Sequence, residues 1–414
     1  MHLKRTLASH AVLLILVVAA GVRIGYVAVA KRGPCPIEFQ GHVVGYYHSQ
    51  CTGSGPGRAN DQVYYNATAN ELALGNGFTN PFQGGAPAAD HPPLAAVVLA
   101  GVSFAFDHQP LSHLADASKL TLGDTMYTHI REQRYFMALL GTFNVFLLIL
   151  LARRIAGNRV ALVAGAIAAL YPYLWVNDGL LFSETVAITC VLLALLAACW
   201  CKARPSPWRF AVLGAVCALA ALTRAELLLL APLLVLALAW SARRAGARAV
   251  TIAVVAAALG CGVLLVPWSV YNSTRFHDRV FISTNDGLAL AGSNCASAYS
   301  GSGIGLTSLV PPCTYTDAQL AQLDAAQFAR THHHFDQSDI SDLYRHKALT
   351  YMGDHLAKLP LVVAARVGRL WSVYRPFDMI SYNQGESRER WVTELGLVAY
   401  YPLILLAIAG GLAM

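Results

Sequence analysis

Charge is scarce in this chain. Asp, Glu, Lys and Arg make up only 13% of 414 residues, about half the roughly 25% usual in a soluble domain. With 56% hydrophobic residues and a mean hydropathy of +0.48, that scarcity excludes an ordinary soluble enzyme, a disordered protein and a disulfide miniprotein. There is no Cys-x-x-Cys and no Cys/His zinc spacing, so no metal ligand set is assigned. Free basic surface is also missing. The net charge is +7, but its carriers sit in short clusters at the ends of apolar runs, which points away from nucleic acid and towards a multi-spanning membrane protein.

A membrane helix needs about 20 mostly apolar residues. Apolar runs predict spans near Leu7–Ala30, Tyr135–Leu151, Arg159–Val176, Ser183–Cys201, Phe210–Thr223, Leu227–Trp240, Val250–Tyr271 and Val392–Leu412. No small-residue cleavage site follows the first, so it reads as a signal anchor. Basic clusters at Lys4/Arg5, Arg153/Arg154/Arg159, Lys202/Arg204/Arg209 and Arg243/Arg244/Arg248 mark cytoplasmic ends. The intervening turn Tyr171–Phe182 has no Lys or Arg. Both termini are therefore placed inside. Lys31 and Arg32 sit on the wrong side of this pattern. Pro93–Phe106 is apolar but too short to cross a ~30 Å core at about 1.5 Å per residue. If it crossed, every later basic cluster would land outside, so it reads as a juxtamembrane or re-entrant helix on the outer face.

The expected fold is an all-α polytopic membrane protein of about eight transmembrane helices. Its parts are a first helix (1–30), a first outer loop with juxtamembrane helices (31–134), a transmembrane bundle (135–271), a second outer region (272–391) and a last helix (392–414). Within the second outer region, Leu361–Tyr374 reads as an interfacial amphipathic helix. Two cysteines in each outer loop predict two disulfides, Cys35–Cys51 and Cys295–Cys313.

Candidate chemistry concentrates in the first outer loop. Asp61 to Ala73 has helical spacing, ended by Gly75 and Gly77. Pro92 and Pro93 suit a helix start, so Asp90 and His91 fall where partial positive charge favours an anion. A plain reading stands beside this one, in which Asp90 is an N-cap and Asp61 a solvated loop acid. Arg224 and Glu226 end an apolar run; at i,i+2 they do not face each other on a helix, so each is expected to need another partner. Glu184 opens a span, as a functional group or as a first-turn charge favoured by the helix dipole. His332–His334 with Asp336 read as a solvated patch rather than a metal site. Gly301-x-Gly303-x-Gly305 lacks the strand-then-helix context of a dinucleotide loop.

Several motifs in order resemble the GT-C type glycosyltransferases of the family-39-like group, which includes protein O-mannosyltransferases and the lipid A aminoarabinose transferase. They are Asp61-x2-Tyr64, Gly75-x-Gly77-Phe78, Asp90-His91-Pro92-Pro93-Leu94, Leu151-Ala152-Arg153-Arg154 and Phe182-Ser183-Glu184-Thr185. Then come Leu222-Thr223-Arg224-x-Glu226, Pro267-Trp268-x2-Tyr271-Asn272, Ser283-Thr284-Asn285-x-Gly287 and Gly292-Ser293-Asn294. The resemblance implies a GT-C-like bundle that moves a sugar from a polyprenyl-phosphate donor to a lipid, glycan or protein acceptor on the outer face of the cell membrane. It implies Asp61 and Asp90 as catalytic acids, and His91, Tyr64, Arg224, Glu184 and Arg275 as substrate-binding groups. No cofactor is required, although a divalent metal remains compatible. Two departures stand out: Tyr271-Asn272 occupies the place of the family's Arg-Asn, and relatives usually continue beyond the eighth span. The alternatives are a transporter or lipid flippase without catalysis, and an inactive scaffold subunit.

Overall fold

The computed structural model describes residues 2–31, 34–39, 42–48, 61–80, 85–106, 129–241 and 246–413. The described residues are overwhelmingly helical. The exception is a two-stranded antiparallel hairpin, β1 (Pro34–Phe39) and β2 (His42–His48), which the all-helical expectation did not contain. Among the described residues, five helices are long and apolar enough to cross a membrane, beginning with α1 (His2–Ala30). The helices α2 (Asp61–Ala73) and α3 (Leu94–Phe106) follow, and the 13 residues of α3 are too few to span, as its length predicted.

The next helix, α4 (Ile130–Leu170), runs for 41 residues and is broken at Gly157, whose φ of 82° lies in the left-handed region. A Cβ on Gly165 would fall 2.5 Å from the Ile149 side chain. Sixteen residues along a straight helix lie about 24 Å apart, so the two arms must fold back on one another. These arms are the second and third spans expected from the sequence, and Arg153, Arg154 and Arg159 sit at their turn. Both arms pack on α1: Ala19 is buried with Val145 and Ile149 of the first arm and with Ala161, Ala168 and Ala169 of the second.

The bundle continues through α5 (Pro172–Asp178), α6 (Glu184–Ala203) and α7 (Pro207–Ala221). A 3-10 turn (Ala225–Leu229) leads into α8 (Leu230–Ser241), and then α9 (Ala247–Ser273) follows. At 15 and 12 residues, α7 and α8 are shorter than a straight span. Small residues bring α7 and α9 together: a Cβ on Gly214 would lie 1.9 Å from the Ala257 carbonyl oxygen, and one on Gly260 equally close to that of Ala211. Close approach through small residues is how helices associate in lipid, where apolar side chains gain little from leaving the tails. The other face of α9 leaves Ile252, Val255, Leu259, Val263, Val266 and Val270 exposed. Their spacing of three and four residues makes one apolar stripe, suited to lipid and unsuited to water.

The remaining helices are α10 (Asn285–Ser293), α11 (Asp317–Thr331), α12 (Gln337–Asp354), α13 (Leu359–Leu370), α14 (Pro376–Gly385) and α15 (Arg390–Leu412). The chain divides into two compact units. One comprises residues 1–85, 93–264 and 380–414, and the other residues 86–92 and 265–379.

In the second unit α10 lies so close to α12 that a Cβ on Gly287 would meet the Ser341 carbonyl oxygen at 1.9 Å. The expected disulfide between Cys295 and Cys313 is present, with its Cα atoms 5.2 Å apart; the Cys35–Cys51 pairing lies outside the described residues. The helix α13 is amphipathic in an unexpected sense. Its arginines turn inward: Arg369 donates to the carbonyls of Ser302 and Ile304, and Arg366 to that of Ser293. Leu361, Val363, Val367 and Leu370 face outward. The arginines thereby fix the Gly301–Gly305 segment as a packed turn, in keeping with its reading as something other than a dinucleotide loop.

Candidate functional site

In the first unit, α2 and α3 form a buried cluster against α4 and the start of α6. Tyr64, Tyr65, Ala69, Ala95, Leu99, Met137, Leu181 and Val186 meet there. Beneath it lies a polar seam that such a core could hold only if each group were bonded. Asn66 donates to Gln133, Gln133 to Ser103, and Ser103 to Asn70. This seam fixes α2, and so fixes where its first residue, Asp61, stands. Asp61 is exposed, whereas Tyr64 is packed in the cluster. The neighbouring Tyr65 is also buried, and its hydroxyl is hydrogen-bonded to Ser183, the N-cap of α6. Burial pushes the Tyr65 phenol far above its ordinary range; the Ser183 bond opposes this, and the charges of Asp61 and Glu184 add to it.

One residue beyond Ser183, Glu184 is where the charges converge. Its Oε1 accepts from Arg224 Nη1 at 3.1 Å, and Arg388 Nη2 stands 3.7 Å away. Its Oε2 is buried and takes no hydrogen bond among the described residues. Arg224 also donates through Nε to Glu226 at 2.7 Å. The expectation that these two could not pair is therefore overturned. Arg224 has extended dihedrals (φ −150°, ψ 119°) ahead of the 3-10 turn, so the helical spacing behind that expectation does not apply. Arg388 is held by Asn177, by Glu386 and by the face of Phe182. Sequence reasoning missed it, since nothing local marks a residue that follows a polar turn and meets Asn177 from 211 positions away. Asp61 also lies within electrostatic reach of Tyr382, whose hydroxyl is raised by burial first, then by Glu386 and Asp61.

The first unit thus gathers Asp61, Tyr65, Glu184, Arg224 and Arg388. Tyr64 is packed in the first unit's core, and the remaining expected catalytic and binding residues, Asp90, His91 and Arg275, belong to the second unit. There His91 Nε2 stands 3.3 Å from Asp90 Oδ2, and Arg275 lies over the Tyr271 ring at 4.5 Å. The nearby Asp336 was expected to stand with the His332–His334 run. It instead caps α12 and pairs with His277, while His334 pairs with Asp324.

Two further pairs brace the first unit. Arg23 of α1 is bonded to Asp178 at 2.7 Å, with both side chains buried. Lys31 reaches Glu389 at 2.5 Å, and Tyr26 donates to the same carboxylate. The second pair accounts for Lys31 standing on the unexpected side of the charge pattern: it is buried and paired, and adds no free positive charge to the loop.

Residues 126–271 match the model of the dolichyl-phosphate-mannose-protein mannosyltransferase family. No curated protein and no solved structure matches the chain. The matched stretch carries Ser183, Glu184 and Arg224, and it agrees with the GT-C resemblance drawn from the ordered motifs. The match and the apolar helices make this a multi-pass membrane protein similar to glycosyltransferases of the mannosyltransferase type.

Proposed function

We propose that the protein transfers a sugar from a polyprenyl-phosphate donor to an acceptor hydroxyl at the outer membrane surface. The observation that carries this reading is the convergence of Arg224 and Arg388 on Glu184 beside Asp61. Two guanidiniums that meet at one carboxylate suit the phosphate of a lipid-linked sugar, which would compete with Glu184 for them. Glu184 keeps them parted and aimed. An anion arriving between them gains charge-assisted bonds that strengthen as the leaving phosphate takes on charge.

In the reaction, the acceptor oxygen attacks the anomeric carbon from the face opposite the phosphate. The bond from that carbon to the phosphate oxygen breaks, and polyprenyl phosphate leaves with the bonding pair. The hydroxyl proton passes to Asp61, which is exposed and able to meet an acceptor. The configuration inverts. Arg224 and Arg388 act on the leaving group and Asp61 on the nucleophile, so donor and acceptor effects should separate under mutation.

The test is to incubate the purified protein in lipid with radiolabelled polyprenyl-phosphate mannose, other polyprenyl-phosphate sugars, and lipid or peptide extracts. Labelled product that disappears in Asp61→Asn supports the reading. Movement of intact donor across the bilayer with no product would instead establish a flippase.

A further inference from the structure

A second cluster of chemistry-bearing side chains lies in the unit formed by residues 86–92 and 265–379, and the transfer reaction makes no use of it. His277 follows α9, while Asp336 and Asp339 belong to the start of α12, about sixty positions later. The three come together at their tips. His277 Nδ1 is 2.8 Å from Asp339 Oδ2 and 3.4 Å from Asp336 Oδ2. One ligand atom from each residue lies within 4.8 Å of the others.

We propose that His277, Asp336 and Asp339 hold one divalent transition-metal ion, of which zinc is the best fit, pinning the turn after α9 to the start of α12. The distances support this directly. Zinc bonds of about 2.0–2.2 Å put neighbouring ligand atoms about 3 Å apart, somewhat less at octahedral angles and somewhat more at tetrahedral ones. Two edges of the ligand triangle already have that length.

The outer contacts are those of an oriented site. Asp336 Oδ1 is held by the backbone amides of Ser338 and Asp339 and by the Ser338 hydroxyl, while Oδ2 accepts from the His277 backbone N–H at 2.7 Å and faces its ring. Asp339 Oδ1 is held by Gln327 at 3.2 Å, while Oδ2 accepts from the Asp336 backbone N–H at 3.0 Å and faces the His277 ring. Each carboxylate is thus fixed by hydrogen bonds at both oxygens, and each Oδ2, having accepted one amide, keeps a second lone pair for the common point, as outer bonds orient metal ligands. The donor set selects among ions. One imidazole and two carboxylates favour zinc or manganese, whereas calcium takes six to eight oxygens and magnesium prefers oxygen donors. Two carboxylates and a neutral imidazole also balance a charge of +2. His277 is 44% exposed, so water can complete the coordination and the ion can enter from solution.

The sequence had drawn attention to His332–His334 instead. That run supplies a rival for any bound metal and therefore a control. The purified full chain would be stripped with EDTA and titrated in detergent with ZnCl2, MnCl2 or CaCl2. Metal retained after desalting and the melting temperature would be measured. We expect about one zinc per chain, a raised melting temperature, weaker manganese binding and no calcium effect. His277→Ala and Asp339→Asn should each weaken zinc binding by at least about tenfold. Asp339→Asn keeps an oxygen to accept from Asp336, so it reports even if His277→Ala folds badly. The triple replacement of His332, His333 and His334 by Ala should keep the zinc. The proposal is overturned if the wild type retains no zinc, if His277→Ala and Asp339→Asn bind as the wild type does, or if only the triple variant loses the metal.

Discussion

Replacing Asp178 by Ala tests whether the first unit depends on a buried ion pair. Arg23 is 1% exposed and sits on an apolar helix, with few ways to stabilise its charge. Its Nε meets Asp178 Oδ2 at 2.7 Å, and among the described residues its other nitrogens reach only the carbonyls of Ala19, Ala168 and Ala169. The second oxygen of Asp178 accepts from Thr185 at 2.8 Å, so the carboxylate joins α1 to both α5 and α6. Removing it leaves a guanidinium among carbonyls and frees a hydroxyl. It also widens a cavity of about 220 Å3 that both charged residues line. Breaking one side of a buried pair typically costs about 3–5 kcal/mol. Asp178→Ala should therefore lower the detergent melting temperature by several degrees and reduce the monodisperse fraction. Replacing both partners by apolar groups is often neutral, so adding Arg23→Leu should recover most of the loss. A single variant as stable as the wild type, or a double variant no better than the single, would refute the reasoning.

Other outcomes follow from particular contacts. Gly214→Val should disrupt the bundle, because its side chain would enter the backbone of α9 at Ala257; expression of folded protein, read by size exclusion, checks this. Arg388→Ala and Arg224→Ala should each raise the donor KM by about tenfold or more and leave the acceptor KM nearly unchanged, while Lys at either position should rescue poorly, because it lacks the planar fork. Burial pulls the Lys31 ammonium down to about 8 from 10.5, against the opposing pull of Glu389. A lysine lowered in the folded state gives stability that is present above 10.5 and lost as pH falls through about 8. The melting temperature should thus climb as pH rises from about 8, and Lys31→Met should flatten that part of the curve.

Much of the architecture was legible because lipid imposes simple rules. Apolar length marked the long helices, and the arginines at 153, 154 and 159 marked the turn inside α4 before its break at Gly157 was known. The shortness of α3 was enough to keep it from spanning. The candidate site was legible in part, and the division has a physical reason. Ser183, Glu184 and Arg224 lie where helices begin or end, and termini leave local signals in the sequence. Arg388 lies beyond a polar turn and acts through Asn177, Glu184 and Phe182, none of which is near it in sequence. The Arg224–Glu226 pair was misjudged for a different reason. The i,i+2 rule holds for helices, and Arg224 is extended. His277 was invisible as a partner of Asp336 and Asp339 because the sequence offers a louder histidine run beside them.

Two groups near Glu184 could take the acceptor proton, and the structure separates them. Tyr65 is within reach of the charges of Asp61 and Glu184, but burial and both carboxylates hold its phenol well above the ordinary range. It stays protonated at any working pH, so it can donate a hydrogen bond but cannot act as the base. Asp61 is exposed at the first turn of α2, where helix dipoles favour negative charge. If Asp61 is the base, Asp61→Asn should cost about 10²–10⁴-fold in kcat, with little change in melting temperature since its side chain is outside the core. Tyr65→Phe removes the bond to Ser183, about 1 kcal/mol of stability, and should leave most of the rate. An active Asp61→Asn enzyme would remove the carboxylate from this role. A stable but dead Tyr65→Phe enzyme would mean that the phenol, rather than Asp61, meets the substrate.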